Sequence, residues 1–107
     1  MRREALVAEE RPLLDAEAVL LVDDDEAFLK RLGKAMEKRG FEPTLAESVA
    51  EGLAVSRATP PAYAVVDLRL EDGNGLEVVE ALRESRPDAR IIVLTGYGAI
   101  ATAVAAV

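Results

Sequence analysis

The sequence predicts an α/β domain built on a doubly wound parallel sheet, with strand order 2-1-3-4. Three observations carry that expectation. First, short apolar runs recur along the chain: Val19-Leu20-Leu21-Val22, Ala64-Val65-Val66 and Ile91-Ile92-Val93-Leu94. Each is bounded by polar or turn residues, the pattern of strands covered on both faces of a sheet. Second, stretches of helical periodicity separate these runs, and alternating strands and helices make βαβ units with right-handed crossovers. Third, the run from Phe41 to Ala46 is weaker and contains Pro43, which cannot donate a ladder hydrogen bond. That strand belongs at an edge.

Composition narrows the function. At 107 residues the chain is one small domain or part of one. Only 4% of residues are aromatic, so Val, Leu, Ile and Ala must fill the core. Cysteine and histidine are both absent. Disulfides, thiolate or imidazole zinc sites and a Ser-His-Asp triad are therefore excluded. The net charge of -7 argues against direct nucleic-acid binding and for a divalent cation or a basic partner surface. No apolar run approaches the ~20 residues that span a bilayer. Glu4, Glu9 and Glu10 interrupt the region that a secretory signal would need, so a cytoplasmic location is expected.

In chain order, residues 1–17 read as a charged N-terminal extension, interrupted by Pro12. The first strand covers about Ala18 to Asp23. Asp24-Asp25-Glu26 then suits the first turn of a helix, where free amides and the macrodipole favour negative charge. Phe28, Leu29, Leu32, Ala35 and Met36 fall at helical spacing, and Lys30, Arg31, Lys34, Lys38 and Arg39 form a solvated face. Gly40 supplies a left-handed stop. Ser48-Val49-Ala50-Glu51 matches a capping box and starts a second helix to about Arg57, with Val49, Ala50 and Leu53 inward. Thr59-Pro60-Pro61 ends it. The third strand is Tyr63 to Asp67. A loop from Leu68 to Gly75 contains Asp72-Gly73-Asn74-Gly75, strong turn chemistry. A third helix covers Leu76 to Ser85 with Leu76, Val79 and Leu82 inward. The fourth strand runs from Arg90 to Thr95, and Ala99 to Val107 reads as the opening of a fourth helix.

If the strands point the same way, Asp23, Asp24, Asp67 and Thr95 share one crevice at their carboxyl ends, where open α/β sheets bind ligands. Crowded carboxylates with no nitrogen or sulfur donor suit a hard ion such as Mg²⁺. Such an ion attracts phosphate. A carboxylate beside it can act as a nucleophile, and the Thr95 hydroxyl could donate to a phosphoryl oxygen. Singly, each acid has a plainer explanation: Asp25 as a helix cap, Asp72 as a turn residue.

Leu-Val-Asp-Asp-Asp at 21–25, Val-Val-Asp-Leu-Arg-Leu-Glu-Asp-Gly at 65–73 and Val-Leu-Thr-Gly-Tyr-Gly at 93–98 closely resemble the receiver domain of bacterial two-component response regulators. The wording around Asp67–Gly75 and after Gly96 is similar to the RegA/PrrA/ActR redox-responsive group. The resemblance covers Ala18 to Val107 and implies a flavodoxin-like (CheY-like) fold. It makes Asp67 the acceptor of a phosphoryl group from a histidine kinase. It also implies Mg²⁺ held by Asp23, Asp24, Asp67 and the backbone carbonyl of Arg69, with Thr95 as the switch hydroxyl. A longer parent would carry a separate DNA-binding domain. Leu70-Glu71 stands where many receivers have Met-Pro. The fifth strand, with its lysine, and the fifth helix are not in this sequence, and Lys30, Lys34 and Lys38 lie at no strand end. The chain therefore reads as a receiver incomplete at its C-terminus (residues 18–107). The strand at Arg90–Thr95 would then be a bare edge, and Ala99–Val107 an uncharged surface. Homodimerisation, with exchange of elements, would relieve both.

Two rivals stand beside this reading. One is a phosphorylation-defective fragment that acts as a binding or dimerisation module. The other is a Mg²⁺-dependent phosphatase of the haloacid-dehalogenase type, with Asp23 as nucleophile and Asp25 as acid/base.

Overall fold

The computed structural model describes residues 17–94 and the backbone of residues 100–105. Residues 1–16 of the expected N-terminal extension and Thr95 lie outside the described residues, while Glu17, the last of that extension, already belongs to the first strand. In chain order the elements are β1 (Glu17–Val22), α1 (Glu26–Lys38), β2 (Phe41–Ala46), α2 (Val49–Ala58), β3 (Tyr63–Asp67), β4 (Arg69–Leu70), β5 (Gly73–Asn74), α3 (Leu76–Ser85), β6 (Arg90–Leu94) and β7 (Ile100–Ala105). The main sheet has the order β2-β1-β3-β6-β7. Its first four strands are parallel, in the order expected from the sequence. Pro43 pairs with Val19 on the edge strand β2, where its missing N–H costs the sheet nothing.

The C-terminal segment departs from expectation. Residues 100–105 form not a helix but β7, antiparallel to β6, with Ile91 opposite Val104. An end strand of a parallel set presents a row of unpaired amides and carbonyls. The following segment places β-branched residues at alternate positions, Ile100, Thr102 and Val104, and pairing outweighs the helical preference of its alanines. Five residues separate Leu94 from Ile100, too few for a parallel crossover. The bare edge expected at Arg90–Leu94 is therefore covered within the chain, and one motive for dimerisation is removed. A parallel fifth strand and a fifth helix are not among the described residues.

Side-chain alternation puts a core on each face of the sheet. Leu20, Val22, Ala64, Val66, Ile91 and Val93 meet Val49 of α2 and Val78, Val79 and Leu82 of α3. Val19 and Leu21 meet Leu29 of α1, flanked by Leu32, Met36 and Phe41. Asp25 caps α1, accepting from the Phe28 amide at 3.0 Å. Gly40, at φ 91°, follows the end of the helix in the left-handed conformation expected of it. Lys30 pairs with Glu26 at 3.1 Å across one turn, an exposed contact of little energetic weight.

Two helix faces differ from the sequence reading. In α2, Ala50 is exposed, while Val49, Gly52 and Ser56 are buried. Small residues face α3 because the two helices approach closely: a Cβ on Gly52 would lie 2.9 Å from Val78 Cγ2. In α3, Leu76 is 46% exposed, because the first turn begins beyond the carboxyl ends of the strands. Val78, which the sequence reading did not place inward, is buried instead, alongside the expected Val79 and Leu82.

An apolar cavity of about 400 Å³ lies at the opposite end of the sheet, lined by Val19, Met36, Phe41, Tyr63 and Val65, with Arg39 and Arg90 at its margin. Phe41 and Tyr63 meet edge to face there, centroids 5.4 Å apart. Phe41, Tyr63 and Arg90 open their strands, whereas Asp67 closes one and Asp23 follows another, and none of the acids lines the cavity.

Two substitutions on one face of α2 should act in opposite directions. Gly52→Ala gains helix propensity but overpacks against the stiff Val78, for a net loss of about 1–2 kcal/mol. Ser56→Ala removes a buried hydroxyl that has no hydrogen-bond partner among the described residues, and stabilises by about 1 kcal/mol. Urea midpoints at unchanged m-value measure both.

Candidate functional site

Val22 of β1 sits opposite Val66 of β3 in parallel register. The residues that follow, Asp23 and Asp67, therefore leave the sheet side by side. The Asp23 amide donates to the Ala46 carbonyl (3.1 Å), which fixes the end of β1 against β2. Asp67 closes β3 opposite Leu94 of β6. Carboxylate oxygens of Asp23, Asp24 and Asp67 lie within 4.8 Å of one another. Asp23 and Asp67 are 9% and 6% exposed, whereas Asp24 faces solvent.

Each buried acid accepts a nearby backbone amide. Asp25 N–H donates to Asp23 Oδ1 at 2.9 Å, and Arg69 N–H to Asp67 Oδ1 at 3.3 Å. Burial pushes both carboxyls above the usual carboxylate range, and these amides offset the shift only in part. Negative neighbours add to it: Asp67, Asp24 and Asp25 act on Asp23, and Asp24 acts on Asp67. A carboxylate offers about four acceptor positions, so one amide bond leaves each acid able to bind a cation. Three oxygen donors of like charge, with no imidazole or thiolate, fit a hard divalent ion.

The loop after Asp67 is tightly built. Leu68 N–H donates to the Leu94 carbonyl (3.0 Å) and Gly75 N–H to the Leu68 carbonyl (2.9 Å). Arg69 pairs with Asn74 and Leu70 with Gly73, a small ladder inside what the sequence shows only as a loop. A Cβ on Gly75 would collide with the Asp67 carbonyl oxygen. The backbone at Gly75 is ordinary helical (φ -59°), so space alone, not φ, demands glycine there.

Residues 19–107 match the response regulator receiver domain family. The chain belongs to that family. It is 79% identical over 90 residues to the photosynthetic apparatus regulatory protein RegA of Cereibacter sphaeroides, covering 84% of this chain and 49% of that protein. It is 63% identical over 90 residues to the acid tolerance regulatory protein ActR of Rhizobium meliloti, covering 84% and 46% respectively. The receiver thus spans about half the length of these curated relatives. A crystal structure of a response regulator from Burkholderia pseudomallei, with a phosphorylated aspartic acid, calcium ion and citrate, matches with TM-score 0.71 and 36% identity. That match covers 78% of this chain and 49% of that one. This is the phosphoryl-accepting domain of a two-component response regulator, from a signalling family rather than a catalytic one.

The receiver brings Asp23, Asp24 and Asp67 together as the sequence suggests, and Arg69 follows within two residues. Thr95 lies outside the described residues. Asp25 is engaged as a cap. Asp72 is more than a turn residue: its carboxylate accepts from the amides of Val49 (2.8 Å) and Ala50 (3.1 Å), the first two of α2. The Asp72-Gly73 pair marked the turn, but nothing local marks a partner more than twenty residues away.

For Asp23 and Asp67 the native state holds protons more tightly than the unfolded chain. Their contribution to stability is therefore fully present below the ordinary carboxylate value and is lost as pH rises through the raised one. Without metal, Asp67→Asn should be more stable than the parent at pH 7, the two converging in acid below the ordinary carboxylate range. Urea midpoints across pH in a chelator measure this; curves parallel at all pH values would exclude a carboxyl raised by burial and by its acidic neighbour.

Proposed function

We propose that Asp67 is the phosphoryl acceptor and that Mg²⁺ binds at Asp23, Asp24, Asp67 and the backbone carbonyl of Arg69. The convergence of three carboxylate oxygen donors within 4.8 Å carries this reading. In transfer, an Asp67 carboxylate oxygen forms a bond to phosphorus. The bond from phosphorus to the donor breaks, and the leaving group keeps the electron pair. Asp67 suits the role because the amide of Arg69 fixes one of its oxygens and the Gly75 backbone packs against its carbonyl. When bound, the cation offsets the charge of three acids and of the incoming phosphoryl oxygens. The Thr95 hydroxyl contacts the phosphoryl group and reports its arrival.

The physiological donor in this reading is the phosphohistidine of a histidine kinase. The output is transcriptional, through a separate DNA-binding domain of a longer protein, in the cytoplasm. The relative carrying both a phosphorylated aspartic acid and a divalent ion supports the choice of chemistry. The phosphatase reading is weakened because Asp25, its required acid/base, is held by the Phe28 amide.

One observation favours a phosphorylation-defective module: all three lysines of the sequence, Lys30, Lys34 and Lys38, lie on α1, and none follows the carboxyl end of a strand as Asp23 and Asp67 do. In that reading the chain acts by binding or dimerising. Acetyl phosphate with millimolar Mg²⁺ separates the two. The expected product is a single hydroxylamine-labile acyl phosphate on Asp67, absent from Asp67→Asn and abolished by chelation. Saturable Mg²⁺ binding with no acyl phosphate and no response to beryllofluoride would select the inert module. Many turnovers of free phosphate with the label on Asp23 would select the phosphatase.

Mg²⁺ should also stabilise the metal-free parent at pH 7 in proportion to RT ln(1 + [Mg²⁺]/Kd). Asp24→Asn should lose most of that gain, as read by the urea midpoint with and without the ion.

A further inference from the structure

The described residues hold a second constellation that the acceptor chemistry does not use. Asp72 sits in the two-residue turn between β4 and β5 and reaches across to α2. Its Oδ1 accepts from Val49 N–H at 2.8 Å and its Oδ2 from Ala50 N–H at 3.1 Å. Ser48 Oγ takes the next amide, of Glu51, at 3.1 Å, and the first helical bond, Gly52 N–H to the Ser48 carbonyl, follows at 3.0 Å. The leading amides of α2 are thus divided between a local cap and a cap lent by a different segment. Gly73 lies against the same helix: a Cβ there would come within 3.5 Å of Val49 Cγ2.

Both ends of this clamp lead to the acidic cluster. On one side, α2 follows Glu47 and Ala46, and the Ala46 carbonyl accepts the Asp23 amide at 3.1 Å. On the other, the β4–β5 ladder starts at Arg69, whose amide is bound to Asp67 Oδ1. The path Asp23–Ala46–α2–Asp72–Arg69–Asp67 closes a ring. Within it, the strand ends carrying Asp23 and Asp67 are joined a second time, outside the sheet.

We infer that Asp72 is a positioning residue of the metal site: its two bonds to the start of α2 hold the hairpin that presents Arg69 and Asp67 to the cation. It touches no cation itself. The inference rests on the reading of Asp23, Asp24, Asp67 and Arg69 as the metal site. Residues that orient metal ligands from behind typically change affinity by about 10- to 100-fold when removed. Since Asp72 acts through backbone, the lower end of that range applies.

The test compares the parent with Asp72→Ala, Asp72→Asn and Ser48→Ala. Mg²⁺ affinity is read by calorimetry and by the amide resonances of Asp67 and Arg69, and phosphorylation is read from acetyl phosphate over a range of Mg²⁺. Asp72→Ala should raise the half-saturating Mg²⁺ concentration roughly tenfold, with the rate at saturating Mg²⁺ within about twofold of the parent. Asp72→Asn keeps one acceptor oxygen and should recover part of the loss. Ser48→Ala removes the neighbouring cap of the same helix and serves as the stability control, with its Mg²⁺ midpoint unchanged. The inference falls if Asp72→Ala and Ser48→Ala lower stability alike while both keep the parental midpoint. If the parent itself shows no saturable Mg²⁺ response, the metal-site reading falls, and this inference with it.

Discussion

Holding like charges together at the ends of two neighbouring strands is the constraint that the rest of the domain answers. Parallel register brings Asp23 and Asp67 to one edge of the sheet, and burial makes their repulsion stronger than water would allow. The free energy that tolerates it comes from elsewhere. A continuous apolar core on the α2–α3 face and a smaller one beneath α1 fix the strands, so the acids cannot drift apart to relieve their charge. The proposed cation would relieve that repulsion, so the charge held there would favour its binding.

What surrounds the acids is mostly main chain. The amides of Asp25 and Arg69 face the two buried carboxylates, and the Leu68 and Gly75 amides tie the hairpin to β6 and to itself. Backbone donors carry no side-chain entropy to be lost on ordering, which suits a site that must keep its shape while its charge changes. The large cavity near Phe41 and Tyr63 has the reverse character, apolar and remote.

Much of this was legible in the residues. The three apolar runs gave β1, β3 and β6, and the acids that terminate them gave the cluster. Pro43 gave the edge strand, and the Ser48–Glu51 spacing gave the start of α2. What escaped depends on partners distant in sequence. Ala50 looked inward by periodicity, but the close packing of α3 turns Gly52 and Ser56 to the interior instead. Leu76 looked inward because a helical pattern does not reveal where the core ends. The segment after residue 99 looked helical because alanine favours helices, whereas the open flank of β6 decides its state. Asp72 read as a turn residue because its partners, Val49 and Ala50, lie 23 and 22 residues away along the chain.

The missing side chain at Gly75 has a consequence for how such a domain can diversify. The base of the hairpin touches the main chain of Asp67, so it tolerates no added atom. Glu71, in the turn beside Asp72, stands out in solvent. Change in this loop is therefore confined to the outward-facing Glu71, because the base is closed by lack of space and Asp72 is tied to α2.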